Sequence, residues 1–227
     1  MKLDSVSGRG PFLVKLSILL PFLSLGVLGC ADSHYVTVSV PPEVDLKSYQ
    51  AVGIIELGSN ADAAINRYAT ERFQSSVQSA QPGTRLVELG TAESVLAAIG
   101  ASQLDADAIK KIGTRFGVAA VFQGHITYSE PRVKIGGGIT DLATLQGGAR
   151  AEMRGDMFVK LVETKTAASV WSNSSWVTKQ LGGVSASSDG GIVGTVRSSN
   201  PREEMVPVLV REVVTGLRES TVRRRVD

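Results

Sequence analysis

Read as apolar against polar positions, the chain divides into short elements with two different periods. Val36, Val38 and Val40 alternate with polar residues over Tyr35–Val40, and the run stops at Pro41-Pro42, which predicts a short edge strand. Ala51–Leu57 is apolar almost throughout and reads as a buried strand. Over Asp62–Ala80, Ile65, Ala69, Phe73 and Val77 recur at four-residue steps, so an amphipathic helix is expected there, ended by Pro82-Gly83. Arg85–Leu89 returns as a strand and Ala92–Ile99 as a short helix. Asp105 caps the next helix, which turns Ile109, Ile112 and Phe116 inward and stops at Gly117.

From Val118 the pattern becomes a meander. Val118–Tyr128 begins strongly apolar and ends polar. Arg150–Thr164 alternates cleanly, with Ala151, Met153, Gly155, Met157, Val159 and Leu161 on one face and Arg150, Glu152, Arg154, Asp156 and Lys160 on the other. Phe158 and Val162 break the pattern. A turn at Lys165-Thr166 leads into Ala168–Thr178, which carries Trp171 and Trp176 on opposite faces. The closing helix opens with Asn200 as cap, Pro201 at its first position and Glu203 placed for a capping box; Val206, Val210, Val213 and Leu217 form its stripe. Strands and helices alternate early and strands then run consecutively. The expected class is therefore α/β of the α+β type, a mixed β-sheet with helices packed on it. The meander is interrupted by two glycine-rich stretches, residues 131–148 and 179–199. Both are long for connections, and without aromatic residues they read as surface loops.

The first residues have a different character. Lys2, Arg9 and Lys15 precede an apolar run, residues 16–29, of 14 positions. A spanning helix needs about 20, so the run reads as the core of a signal peptide. It ends at Val27-Leu28-Gly29-Cys30, and Cys30 is the only cysteine in 227 residues. An internal disulfide is thereby excluded. His34 and His125 are too far apart for ligand spacing, which argues against a metal site. The Val27–Cys30 segment resembles the bacterial lipobox, although that motif usually has Leu where Val27 stands and a small residue at Leu28. The resemblance implies cleavage between Gly29 and Cys30 and acylation of Cys30; an ordinary secretory signal with a chance cysteine is the alternative. By resemblance to bacterial sorting signals, Ala31 after Cys30 favours the outer membrane.

Composition narrows what the remaining residues do. The leader holds three of the 24 basic and one of the 22 acidic residues, leaving 21 of each. A balanced charge, few aromatics and no basic stripe argue against nucleic acid as a partner. Arg223-Arg224-Arg225 reads as a solvated basic tail over 221–227, with a headgroup contact as the lesser alternative. No nucleophile elbow, Walker loop or zinc-protease motif occurs, and Gly136-Gly137-Gly138 lacks the Lys-Ser/Thr of a phosphate cradle. His125, in an apolar strand, is expected to be structural, and Asp105 with Asp107 to serve a helix start. No catalytic residue, cofactor or metal ligand is therefore assigned, and the chain is expected not to be an enzyme.

Three segments then carry a resemblance. "GVAAVFQGHITYSEPRVKIGGG", "MFVKLVETKTAASVW" and "VGTVRSSNPREEMVPVLVREVVTGL" resemble, in order and spacing over residues 50–220, the curli-secretion lipoprotein family (CsgG-like). The layout is shared with LpoB-like activators of cell-wall synthases and with the N-terminal domain of TolB. Thr166-Ala167 departs from that family's Thr-Gly turn. The resemblance implies a signal peptide over 1–29, a lipidated tether with edge strand over 30–50 and an α/β domain over 51–220. It further implies a lipid-anchored protein on the periplasmic face of the outer membrane that binds envelope proteins or self-assembles as a homo-oligomer. A secretion channel built from the two inserts, or a synthase activator, is the alternative. Val133, Ile135, Gly137 and Ile139 alternate as a membrane strand requires, but Asp141 falls on the same face.

The anchor is directly testable. Cys30→Ser is expected to abolish metabolic labelling by radioactive fatty acid and to leave an unprocessed or released protein. A Ser variant that still labels and fractionates with membranes would refute the lipobox.

Overall fold

The structure, a computed structural model, describes residues 34–135, 149–186, 192–196 and 199–226. It divides into a body, Ser39–Val222, and a small unit whose described residues are 34–38 and 223–226. The strand β1 (His34–Val40) pairs with β10 (Ser220–Val226) in a two-stranded antiparallel sheet. The basic C-terminal segment, expected as a solvated tail, is therefore a strand.

The body is an eight-stranded mixed sheet. β2 (Val52–Ile55) lies at the middle of a parallel trio, with β4 (Leu86–Gly90) on one side and β5 (Ala120–Tyr128) on the other. Parallel neighbours need crossovers. Here α1 (Ala63–Ala80) makes the first, and α2 (Ala92–Ile99) with α3 (Ala106–Phe116) the second. The two-residue β3 (Gly58–Ser59) pairs beside the far end of β5. β7 (Ala149–Glu163) then adds antiparallel to β5, followed by β8 (Ser169–Ala186) and β9 (Ile192–Val196). β6 (Arg132–Ile135) takes over from β5 as the neighbour of the outer part of β7. The class is the α+β type read from the sequence.

Side-chain pattern explains which face each helix covers. Asp62 caps α1 through a bond from the Ile65 N–H (2.9 Å), and Ile65, Ala69, Phe73 and Val77 are buried as their spacing predicts. They share one core with Met205, Val206, Leu209, Val210 and Val213 of α4 (Pro201–Val213) and with Met153, Met157, Val159 and Leu161 of β7. Each such side chain contributes on the order of 2 kcal/mol through burial. Phe122 anchors the centre, meeting Phe73 edge-on at 5.1 Å and Trp171 at 6.1 Å. On the other face, Val95, Ile109 and Ile112 of α2 and α3 pack on Ile55, Val121 and Val162. Val162, out of phase with the rest of β7, is buried because these two helices cover its face. Asp105 caps α3 with a 2.8 Å bond from Ala108, and this bond holds its carboxyl below the usual range. Asp107 lies in the first turn of the same helix beside Lys110, so both residues serve the helix start as read from the sequence.

A buried amide locks the entry segment to the body. The Gln81 side chain accepts from the Leu46 N–H (2.8 Å) and donates to the Val44 and Leu217 carbonyls (2.7 and 3.0 Å). It thus joins the end of α1, the residues after β1 and the chain beyond α4.

The β7–β8 turn carries a strained residue. Ala167 has φ 60°, the one non-glycine residue with positive φ among those described, at the position where Ala replaces the Gly of the resembled turn. An L side chain in this region costs about 1–2 kcal/mol. Ala167→Gly is expected to stabilise the domain by about 1 kcal/mol in urea melts, part of the relief being offset by the freer unfolded chain. A destabilised Gly variant would show that the turn is not strained.

Candidate functional site

The two glycine-rich inserts are not loops where the structure describes them. β6, the outer ends of β7 and β8, and β9 form a four-stranded antiparallel ribbon in the order β6-β7-β8-β9. The register pairs Val133 with Ala151 and Ile135 with Ala149; across the next ladder Ala151 meets Gly182 and Ala149 meets Val184. Gly182, Val184 and Ala186 in turn oppose Val196, Gly194 and Ile192. Because side chains alternate along a strand, these ten residues occupy positions of one face, and every one is aliphatic or glycine. Positions of the other face include Arg132, Lys134, Arg150, Glu152, Ser185 and Thr195. Small residues and glycines hide this pattern in the sequence, since it emerges only when four strands are laid in register. Gly137, Ile139 and Asp141, on which the reading of the first insert also turned, lie outside the described residues, as do Gly29 and Cys30.

The ribbon starts where the helical layer ends. Met153 is the outermost residue of the β7 row that is buried in the main core, whereas Val133 is 67% exposed. Tyr128 marks the boundary. Its backbone N–H and C=O both bond the Asn60 side chain at 2.8 Å, and its hydroxyl donates to the Arg202 carbonyl at the start of α4 (3.3 Å). Opposite it, Gly155 leaves room for α4: a Cβ there would stand 3.0 Å from Met205 Sδ. The chain kinks at Ser129–Pro131, where the Ser129 N–H still bonds the Arg154 carbonyl (2.8 Å), and then resumes as β6. Lys179 meets Glu204 at 2.6 Å and ties β8 to α4 at the same level.

On the opposite face at this level lies Trp176, 63% exposed. The Arg154 guanidinium sits over its ring at 4.9 Å and is held by Asp156 through bonds of 2.6–3.0 Å. Trp171, the other indole, is buried and donates to Glu43 (2.9 Å), so the two tryptophans face opposite ways as their spacing requires. His125 differs from expectation. It is exposed rather than structural in the core, with its ring 5.8 Å from that of Phe158, because α2 and α3 do not reach this part of their face. His125 and Phe158 line a crevice of about 550 Å³ beyond the end of β2, together with Glu56, Glu93 and Lys160. Glu93 is held below the usual carboxylate range by its own backbone N–H and by Thr91. Among the described residues no group of three His, Cys, Asp or Glu could hold a metal. Among them, too, no helix is long and apolar enough to cross a membrane.

No protein-family model matches the chain, and no curated protein matches it. Solved structures similar to it include the PelC dodecamer from Paraburkholderia phytofirmans, at 12% identity and TM-score 0.41, covering 82% of this chain and 98% of that one. Lipoprotein GNA1162 from Neisseria meningitidis is 15% identical with TM-score 0.36, over 72% and 97% of the two chains. The LpoB C-terminal domain from Salmonella enterica is 13% identical with TM-score 0.34, over 61% and 84%. Bacterial lipoproteins thus stand among the structural neighbours. Similarity at this level does not extend to function.

The boundary residue gives a pH test. Burial pushes the Tyr128 phenol up to about 12. An unfolded tyrosine ionises near 10, so between those values the unfolded chain releases a proton that the folded chain retains. Stability therefore falls as pH rises from 10 to 12, by up to about 2 kcal/mol through this group. Tyr128→Phe is expected to be the less stable protein at pH 8, lacking the bond to Arg202, and to lose less than the wild type over that window. Parallel losses in thermal melts of both proteins would show that the phenol is not buried in solution.

Proposed function

We propose that the chain is a non-enzymatic, lipid-anchored envelope protein of the CsgG-like group, held at the periplasmic face of the outer membrane through Cys30, that works by assembling with copies of itself and with envelope proteins. The observation that carries this reading is the amphipathic ribbon. Among the described residues, β6 and β9 each have one strand neighbour, so the ribbon ends on both sides in a strand edge. Such edges are templates for pairing with another chain unless they are protected. The row of ten aliphatic or glycine positions runs past the helical layer to the exposed Val133, and exposed apolar residues grouped together mark interaction sites. The sequence provides the anchor: a basic leader, a short apolar core and a lone cysteine at its end.

A secretion channel is the second reading, and one observation favours it in particular. The alternation across β6, β7, β8 and β9, broken at Val193 and at the register shift beside Leu181, follows what a barrel wall demands, lipophilic positions outward and polar positions inward. Activation of a cell-wall synthase is supported by the shared layout with LpoB-like domains alone.

Assembly is tested by trapping the edges. In the full-length lipoprotein, Val133→Cys with Gly194→Cys is expected to give an intermolecular disulfide ladder on mild oxidation, and light scattering in gentle detergent should find an oligomer. Gly194→Pro should weaken it, since proline cannot donate from an edge. A monomer at every concentration, with no ladder, would refute assembly. Stepwise conductance in planar bilayers that disappears in Val133→Arg would make the second reading the correct one.

A further inference from the structure

The small unit made by β1 and β10 poses a question that the ribbon does not answer. Two strands alone are marginally stable in water. These two nevertheless leave Tyr35 60% exposed, Val36 49%, Val38 40% and Val222 47%. His34–Val40 and Ser220–Val226 together contain three arginines and no carboxylate. The Ser39 hydroxyl bonds the Glu219 carboxylate, which sets the inner end of β1 beside the start of β10. Since the pair is antiparallel, Arg223 and Arg224 lie at the outer end, beside the first residues of β1, and they form one compact unit with them.

That outer end is the end joined to Cys30. Only residues 31–33 separate Cys30 from His34, the first residue of β1. Four Cα steps, even fully extended, span at most about 14 Å. If Cys30 carries acyl chains, as proposed above, the start of β1 is confined to the headgroup region of the leaflet or just outside it. The polar layer is itself some 5–7 Å deep on each side. The surface potential of an anionic leaflet acts over roughly one Debye length, about 8 Å in physiological salt. Arginines placed at this end are held inside the range where lipid phosphates attract them, whereas at the far end of a seven-residue strand they would be about 20 Å further out. Tyr35 has the amphipathic ring that settles at a membrane–water interface.

We infer that the β1–β10 strand pair is a membrane-contacting foot, in which Arg223 and Arg224 bind anionic phospholipid headgroups and Tyr35 rests at the interface beside the acyl anchor. The partner follows from position and charge together. A tether of three residues fixes what surface is near, and a strand end in which three arginines outnumber the two flanking carboxylates, Asp32 and Asp227, carries a net positive charge that favours anionic lipid. The foot gives the anchor a second contact with the leaflet. Its second contact also lowers the chance that a chain lost from one acyl group leaves the membrane, since stable anchoring takes two signals. This inference rests on the lipid-anchor reading.

The test uses the acylated full-length protein, with its acylation verified by mass spectrometry of the N-terminal peptide. A fluorophore is attached to a single introduced cysteine, Val222→Cys, and energy transfer to headgroup-labelled lipid is measured in vesicles of phosphatidylcholine alone and of phosphatidylcholine with phosphatidylglycerol. Transfer is expected to be higher with phosphatidylglycerol than with phosphatidylcholine alone, the excess being lost in 1 M salt. Arg223→Gln with Arg224→Gln should reduce the population in contact by roughly fivefold per charge, while Arg223→Lys with Arg224→Lys should retain most of it. Equal transfer in both vesicle types, or a double Gln variant indistinguishable from the wild type while still acylated, overturns the foot and leaves the anchor intact. An N-terminal peptide without acyl chains overturns both.

Discussion

The antiparallel ladder between β7 and β8 is the constraint on which the rest of the body hangs. Side chains alternate along β7 with a period of two, and a slip of one residue would send its whole apolar set to the wrong face. The ladder contains two register shifts, and both are taken up by β8. Leu181 is skipped where Ala151 meets Gly182 and Glu152 meets Gln180, and Val170 where Leu161 meets Trp171 and Val162 meets Ser169. β7 therefore keeps one phase from Leu161 out to Ala149. The face that receives Met205 and Leu209 of α4 at Gly155 is consequently the same face that, further out, becomes the aliphatic side of the ribbon. Core and ribbon are two stretches of a single strand face, one covered by helices and the other not.

This explains which parts of the molecule could be read from the residues. The helices were legible because their signals are local. Ile65, Ala69, Phe73 and Val77 repeat within one element, and the caps at Asp62, Asp105 and Asn200 act within one turn. β7 was legible because its alternation is long and its apolar members are large. The ribbon was not, since Gly182, Gly194, Ala149 and Ala186 carry almost no hydrophobic signal and belong together only through partners far apart in the chain. β10 escaped for a related reason. Arg223-Arg224-Arg225 has no alternation, and its partner lies at the other end of the sequence. The exposure of His125 depends on where α2 and α3 stop, which the strand's own residues do not encode.

The crevice beyond β2 brings carboxylates, an amine and an imidazole to one rim. The investment of ordered structure lies elsewhere. α4 is stitched to β8 by Ser175 donating to the Leu209 carbonyl and Asn173 to that of Val213, both at 2.8 Å. Asn60 holds the backbone of Tyr128, the last residue of β5, just before the chain turns into β6. A rigid platform thus carries the ribbon outward.

An edge strand that pairs with its own kind is a hazard in bulk solution, and proteins ordinarily blunt it with charge, proline or a covering element. β6 carries Arg132 and Lys134, and Pro131 immediately precedes it, whereas β9, Ile192–Val196, has no charged residue. The two edges are thus unlike, and a heterologous contact of β6 on one copy with β9 on the next satisfies both better than either edge meeting itself. Head-to-tail contacts of that kind close into rings when the rotation per copy allows it. A lipid anchor changes the balance further. It confines the copies to one plane and restricts their orientations, which raises their effective concentration without any new contact. In the anchored assembly proposed above, the same edges that would aggregate a free protein become the means of ordered pairing.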